Sequence, residues 1–109
     1  MHWLIMIGFV LIGLLFVGVS IPFILRKIPP NRISGFKTRK TLENPDIWYK
    51  MNEYAFKLMA IAGAVITLAS VGLGILPMSD YAYASVMGLV AFLSINIVGI
   101  VSLIYSKTL

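Results

Sequence analysis

"WLIMIGFVLIGLLFVGVSIPFIL", residues 3 to 25, runs for 23 residues without a charged side chain. A backbone that leaves water must satisfy its own amide groups, and a single continuous run does so only as an α-helix. As a helix this run would rise roughly 34 Å against a hydrocarbon core of about 30 Å, enough to span a bilayer with modest tilt. A signal peptide is not expected. The apolar run is too long for an h-region, no positive n-region precedes it, and Arg26 and Lys27 stand where a small-residue cleavage site belongs. The whole composition agrees: of 109 residues, 60% are hydrophobic and 12% charged, and the mean hydropathy is +0.95. That leaves too little polar surface to cover a soluble globule.

Two more runs follow, at residues 58–76, ending before Pro77, and at 83–105, followed at once by Ser106 and Lys107. The connecting "PMSDY", residues 77 to 81, suits a tight turn, so these two spans should form an antiparallel hairpin. The chain reads as one all-α integral membrane domain over 1–109, with three transmembrane helices at 3–25, 58–76 and 83–105. Residues 26–57 form a basic loop and an amphipathic interfacial helix before the second span. Eight of the nine Lys and Arg residues lie between Arg26 and Lys57, and the ninth, Lys107, lies past the third span. Three crossings put all of them on one side. The positive-inside rule makes that side cytoplasmic in a cell membrane, with the N-terminus and the Asp80 turn outside. A net charge of +5 spread over a soluble face would speak for nucleic acid. Confined to a membrane edge, it points to anionic lipid headgroups instead. The chain has no cysteine, so no disulfide, thiol nucleophile or thiolate metal site is available.

The basic interval has internal order. Asn44, Pro45 and Asp46 are a helix-start signal: a capping side chain, a ring that needs no backbone donor, and a carboxylate near the positive end of the dipole. From there Ile47, Trp48, Met51, Tyr54, Ala55, Leu58 and Met59 recur at three- and four-residue spacings on one face. This lead-in either lies on the membrane and bends into the second span or runs straight into it. Upstream, Pro29 and Pro30 should stop the first helix, leaving 29–43 as an ordered loop. Cations beside a span usually act as topology signals and headgroup anchors, and Arg26 and Lys27 read that way. Charge bias alone does not require the interleaved Asn31, Gly35, Thr38, Thr41 and Asn44, which supply hydrogen-bonding groups and a flexible turn.

These residues carry a resemblance. "IPPNRISGFKTRKTLENPDIWYKMNEYAFKL", residues 28 to 58, is similar to the signature of the SdpI-like family, membrane proteins related to an immunity protein against a secreted sporulation-delaying toxin peptide. The pattern, roughly IPPNR, two residues, GFRT, then L, N, W and N, falls on Pro29, Pro30, Asn31, Arg32, Gly35, Phe36, Thr38, Leu42, Asn44, Trp48 and Asn52. Lys37 stands where Arg is usual, which exchanges a two-pronged contact for a point charge, and Arg39 stands where Pro is common. Larger relatives carry additional spans ahead of this unit, so the chain resembles their C-terminal three-span module. The resemblance implies peptide-toxin immunity, membrane signalling by holding a regulatory protein, or both. It makes Asn31, Arg32, Gly35, Phe36, Lys37, Thr38, Asn44, Trp48 and Asn52 the expected ligand- or partner-binding set. Either the loop meets a partner's acidic surface, or Arg32, Lys37 and Trp48 converge on a cavity that takes an anionic lipid. Tyr49 and Tyr54 read as interfacial aromatics.

Catalysis is not expected, and neither is a metal or cofactor. His2, the one histidine, sits at the opposite face from the cations, where a terminal histidine is more often incidental than a ligand. Glu43, Asp46, Glu53 and Asp80 show no metal-ligand spacing, and the first three read as salt-bridge partners. A lipid-modifying enzyme lacks a credible base, whereas a small oligomeric transporter or channel subunit is the stronger alternative. Within the spans, Asn96 is near the middle of the third. A midplane amide needs a partner, and helix packing or self-association into a homo-oligomer is the expected use, helped by small-residue pairs such as Ser70 with Gly74 and Ala84 with Gly88.

Overall fold

Four helices account for most of the chain: α1 (Trp3–Ile24), α2 (Arg39–Glu43), α3 (Pro45–Gly74) and α4 (Asp80–Ser106). The computed structural model describes residues 2–109, and among these no strand is present. Helices α1, α3 and α4 are each long and apolar enough to cross a membrane. The all-helical membrane fold expected from the sequence is therefore the one observed. α3 is the middle element: α1 packs along one side of it and α4 along another, while α1 and α4 barely touch. The bundle is 51 Å long and only 23 by 19 Å across, a length that fits a bilayer of about 40–45 Å with its headgroups. Leu4, Leu11, Leu15, Leu68, Phe92 and Ile97 point away from the bundle. Such a surface is tolerable where lipid, rather than water, is the neighbour.

The lead-in and the second span are one uninterrupted helix. α3 has 30 residues, roughly 45 Å of rise, so its first turns extend beyond the apolar stretch that begins at Leu58. Asn44 starts it, accepting from the Asp46 and Ile47 amides at 3.0 and 3.5 Å with Pro45 in the first position. Ser79 starts α4 in the same way, accepting from the Ala82 amide at 3.1 Å.

α1 ends earlier than the two prolines require. Ile24 is its last residue, and Arg26 adopts a left-handed conformation with φ of 58°. The Arg26 amide donates to the Phe23 carbonyl at 3.2 Å and the Lys27 amide to the Pro22 carbonyl at 2.9 Å. This is a Schellman closure with arginine where glycine is usual. Pro29 and Pro30 lie beyond an end that the backbone has already closed.

The α1–α3 crossing rests on two glycines in register. A Cβ on Gly13 would stand 2.6 Å from the Gly63 carbonyl oxygen, and one on Gly63 would stand 2.5 Å from that of Gly13. Any side chain at either position forces the backbones apart. Gly74 also sits in a close approach, where a Cβ would meet Met6 Sδ at 2.7 Å, whereas Gly88 faces open space. Asn96 is exposed on α4, and its amide donates to the Phe92 carbonyl of its own helix at 2.8 Å. Among the described residues it joins no second helix. That task falls to Tyr83 and Ser70: the tyrosine hydroxyl donates to the Ser70 carbonyl at 2.8 Å, lies 2.8 Å from the Ser70 hydroxyl, and the latter donates to the Met6 carbonyl at 3.2 Å. Ile66, Tyr83 and Met87 form the buried core around this contact, with Ile5, Met6 and Phe9 against it. His2 stacks on Tyr83 with ring centroids 4.4 Å apart, and its Nδ1 donates to Asp80 Oδ1 at 2.9 Å. The histidine expected to be incidental is 6% exposed and closes the turn end of the bundle.

Candidate functional site: a loop clasped to the basic end of α3

Residues 25–38, between α1 and α2, have no regular structure, so their backbone groups need partners from elsewhere. Asn52, on the second turn of α3, supplies two of them. Its Oδ1 accepts the Phe36 amide at 2.6 Å, and its Nδ2 donates to the Phe36 carbonyl at 3.2 Å and to the Trp48 carbonyl at 3.0 Å. The side-chain amide thus takes the place of a neighbouring strand, with its donor and acceptor matched to the C=O and N–H of one residue. Asparagine has both groups at this reach; aspartate would lack the donors and leucine everything. One turn earlier Trp48, 0% exposed, donates its indole N–H to the Ile28 carbonyl at 2.9 Å. Two residues on one face of α3 therefore hold both ends of the loop.

Gly35 lets the loop reach them. Its φ is +89°, a conformation that side chains disfavour, and a Cβ there would meet Asn52 Oδ1 at 2.8 Å, Phe23 Cε1 at 2.9 Å and Trp48 Cη2 at 3.1 Å. Either constraint alone would select glycine. Phe23 in turn stacks on Phe56 at 4.0 Å, joining the end of α1 to α3 beneath the loop. Asn31 shapes the entry. Its Oδ1 accepts the Ile33 and Ser34 amides at 3.0 and 2.8 Å while its Nδ2 donates to the Pro29 carbonyl at 2.8 Å.

The loop leaves through a helix that sequence reading did not anticipate. Thr38 caps α2 by accepting the Thr41 amide at 3.2 Å, and Thr41 Oγ1 accepts the Thr38 amide at 2.7 Å. This is a reciprocal capping box in which Thr replaces the customary Glu or Gln. Thr41 is fully buried, and the T-x-x-T spacing of Thr38 and Thr41 was the available signal for both residues.

The cations divide into two groups. Arg26 Nε lies 3.3 Å and Lys57 Nζ 3.8 Å from the Glu53 carboxylate, and Arg39 pairs with Glu43 at 3.2 Å across one helical turn. The Arg26 hydrogen bond, aided by the charges of Arg26 and Lys57, holds the Glu53 carboxyl below its usual range. Arg32, Lys37 and Lys40 are exposed on the loop and α2, and like Lys27, Lys50 and Lys107 elsewhere have no carboxylate within ion-pair reach among the described residues. Lys37 Nζ approaches only the Gly35 carbonyl, at 3.4 Å. Ile33, beside Arg32, is 93% exposed. Of the expected set, Gly35, Phe36, Trp48 and Asn52 come together in the clasp, whereas Asn31, Thr38 and Asn44 make the turn and the caps around it. Arg32 and Lys37 face away from the buried Trp48 assembly, toward solvent or headgroups.

A sequence model of the SdpI/YfhL protein family matches residues 27–106. The chain belongs to the SdpI/YfhL protein family. The matched segment begins just after α1 and runs through the clasped loop, α3 and α4, whereas Phe23 and Arg26, which brace the loop from the end of α1, lie ahead of it. The SdpI/YfhL assignment and the three membrane-length apolar helices agree on a multi-pass membrane protein. No curated protein and no solved structure matches the chain.

Proposed function

We propose that this SdpI/YfhL protein protects its membrane, or signals from it, by presenting the clasped loop on the cytoplasmic side to an anionic group. That group is a lipid phosphate or an acidic segment of a partner. The observation that carries the reading is a division of labour within one short segment. Uncharged motif residues spend their polar atoms on the loop's own backbone, while Arg32, Lys37 and Lys40 are left without carboxylate partners. A mere topology signal needs the charges and not the clasp. A presented surface needs both, since a fixed array of cations binds an anion with less ordering cost than a loose one.

The test compares shape with charge. Asn52→Leu removes the clasp and leaves every cation in place; Arg32→Ala with Lys37→Ala does the reverse. Both should abolish survival under challenge with a membrane-active toxin peptide, and retention of phosphatidylglycerol by the purified protein, at matched membrane expression. Arg32→Lys should be impaired nearly as much as Arg32→Ala, because a point charge cannot reproduce the guanidinium fork. If Asn52→Leu protects as well as the unaltered protein, the segment is a basic anchor and the proposal fails.

A further inference from the structure

Ser102 has a hydroxyl with nowhere to go. It is 1% exposed, and its Oγ is the buried side-chain polar atom without a hydrogen-bond partner among the described residues. Other hydroxyls on the spans solve this problem locally. Ser20, Thr67 and Ser85 each donate to the carbonyl four residues back, at 2.6, 2.9 and 2.8 Å. Ser102 instead lines a groove between α3 and α4 of about 260 Å³, walled by Ala55, Phe56, Met59, Ile95 and Val98 and roofed by Gly35 and Phe36. That volume exceeds the roughly 150 Å³ in which an engineered apolar cavity holds benzene.

Position in the bilayer says what fits. α4 has 27 residues, roughly 40 Å of helix against a hydrocarbon core of about 30 Å, so about 5 Å at each end lies in the interface. Ser102 stands four residues before the end of α4 at Ser106, roughly 6 Å in, at the boundary where the ester carbonyls of a lipid sit. From there the wall descends along α4 to Ile95 and along α3 to Met59, about 10 Å of purely apolar lining directed toward the membrane interior. A single polar donor at ester depth, above an apolar channel aligned with the chains of the bilayer, matches an acyl ester.

We infer that the α3–α4 groove is a binding site for one acyl chain of a membrane lipid, with Ser102 Oγ donating to the ester carbonyl. The site is independent of the loop's cations and requires no charge on the headgroup.

The experiment uses the full chain reconstituted in vesicles of dioleoyl phosphatidylcholine or of its ether-linked analogue, extracted gently and weighed by native mass spectrometry. The zwitterionic headgroup keeps the loop cations out of the comparison. The unaltered protein should retain one diacyl lipid, and the ether lipid roughly two- to tenfold less, the worth of one neutral hydrogen bond. Ser102→Ala should retain the two lipids equally. Gly99→Leu should retain neither, because Gly99 also lines the groove and a Cβ there meets nothing within 4 Å, so the larger side chain fills the space. Equal retention of the two lipids by the unaltered protein overturns the inference, as does a preference for the ester that survives in Ser102→Ala. So does full retention by a Gly99→Leu protein of unchanged thermal stability, or a lipid-free dimer joined by a disulfide in Gly99→Cys.

Discussion

Both ends of the bundle are closed by a buried polar side chain bonded to backbone, yet Asn52 at the basic end and Tyr83 at the turn end hold different kinds of partner. Asn52 serves the backbone N–H and C=O of Phe36, which lies in a segment without regular structure and finds its hydrogen bonds on that one side chain. Tyr83 serves the Ser70 carbonyl, which already belongs to the ladder of α3. In one case the side chain replaces secondary structure, and in the other it reinforces structure that stands without it. The comparison teaches where a buried hydrogen bond matters most: where its removal leaves backbone groups with no alternative.

The largest difference should therefore come from substitutions of these two residues. Asn52→Leu leaves the half-buried Phe36 N–H and C=O unpaired, so a loss of about 2 kcal/mol is expected, with protease cleavage appearing within residues 29–38. Tyr83→Phe removes a hydroxyl whose partners retain other bonds, and about 1 kcal/mol is expected from thermal unfolding in detergent. Equal losses would break the comparison.

The sequence displayed one of these ends better than the other. At the basic end, Asn44 before Pro45 announces a cap by chemistry that is local, and Gly35 among polar residues announces a turn. Neither needs knowledge of what lies across the fold. The partner of Asn52 is 16 residues away, and no local rule reports it; the family resemblance drew attention to the residue without saying what it does. At the turn end, Asp80 and His2 are separated by 78 residues, but they are the acidic and the titratable basic residue that three crossings place on the same face. The topology brought them together, but His2 was expected to be incidental and its pairing with Asp80 was not anticipated. The spans themselves were clear because lipid imposes length and apolarity on each run separately. How they pack was not: the chain has nine glycines, and the spacing of small residues does not tell Gly13 and Gly63, which meet, from Gly88, which faces open space.

A second pair of asparagines sharpens the contrast. Asn52 makes three hydrogen bonds, two of them to another segment, and Asn96 makes one, to its own helix. Asn96→Leu should accordingly leave the thermal unfolding of the monomer within about 0.5 kcal/mol of the original. Its effect, if the exposed amide meets a second copy in the membrane, should be confined to the population of oligomers seen by native mass spectrometry. A monomer destabilised as strongly as by Asn52→Leu would show that Asn96 packs inside the chain after all.

A small net effect is expected at Arg26, where the relief of strain opposes two losses. Its left-handed φ of 58° costs a side-chain-bearing residue about 1 kcal/mol, which Arg26→Gly would relieve. The same change deletes the ion pair with Glu53, whose side chains are 49% and 29% exposed, a pair worth about 0.2–1 kcal/mol in such surroundings. Glycine also adds about 0.4–1 kcal/mol of chain entropy to the unfolded state. The sum should lie between about 0.4 kcal/mol of gain and about 1 kcal/mol of loss. Arg26→Ala loses the pair without relieving the backbone, so it should be less stable than Arg26→Gly by up to about 0.6 kcal/mol. In a Glu53→Gln background the ion pair is already gone, and there Arg26→Gly should become more favourable by the pair's coupling energy, read directly from the double-mutant cycle. If Gly and Ala prove equally destabilising at this position, the conformation carries no strain that matters. The closure of α1 would then be held by the Glu53 contact, making the end of α1 dependent on the same face of α3 that clasps the loop.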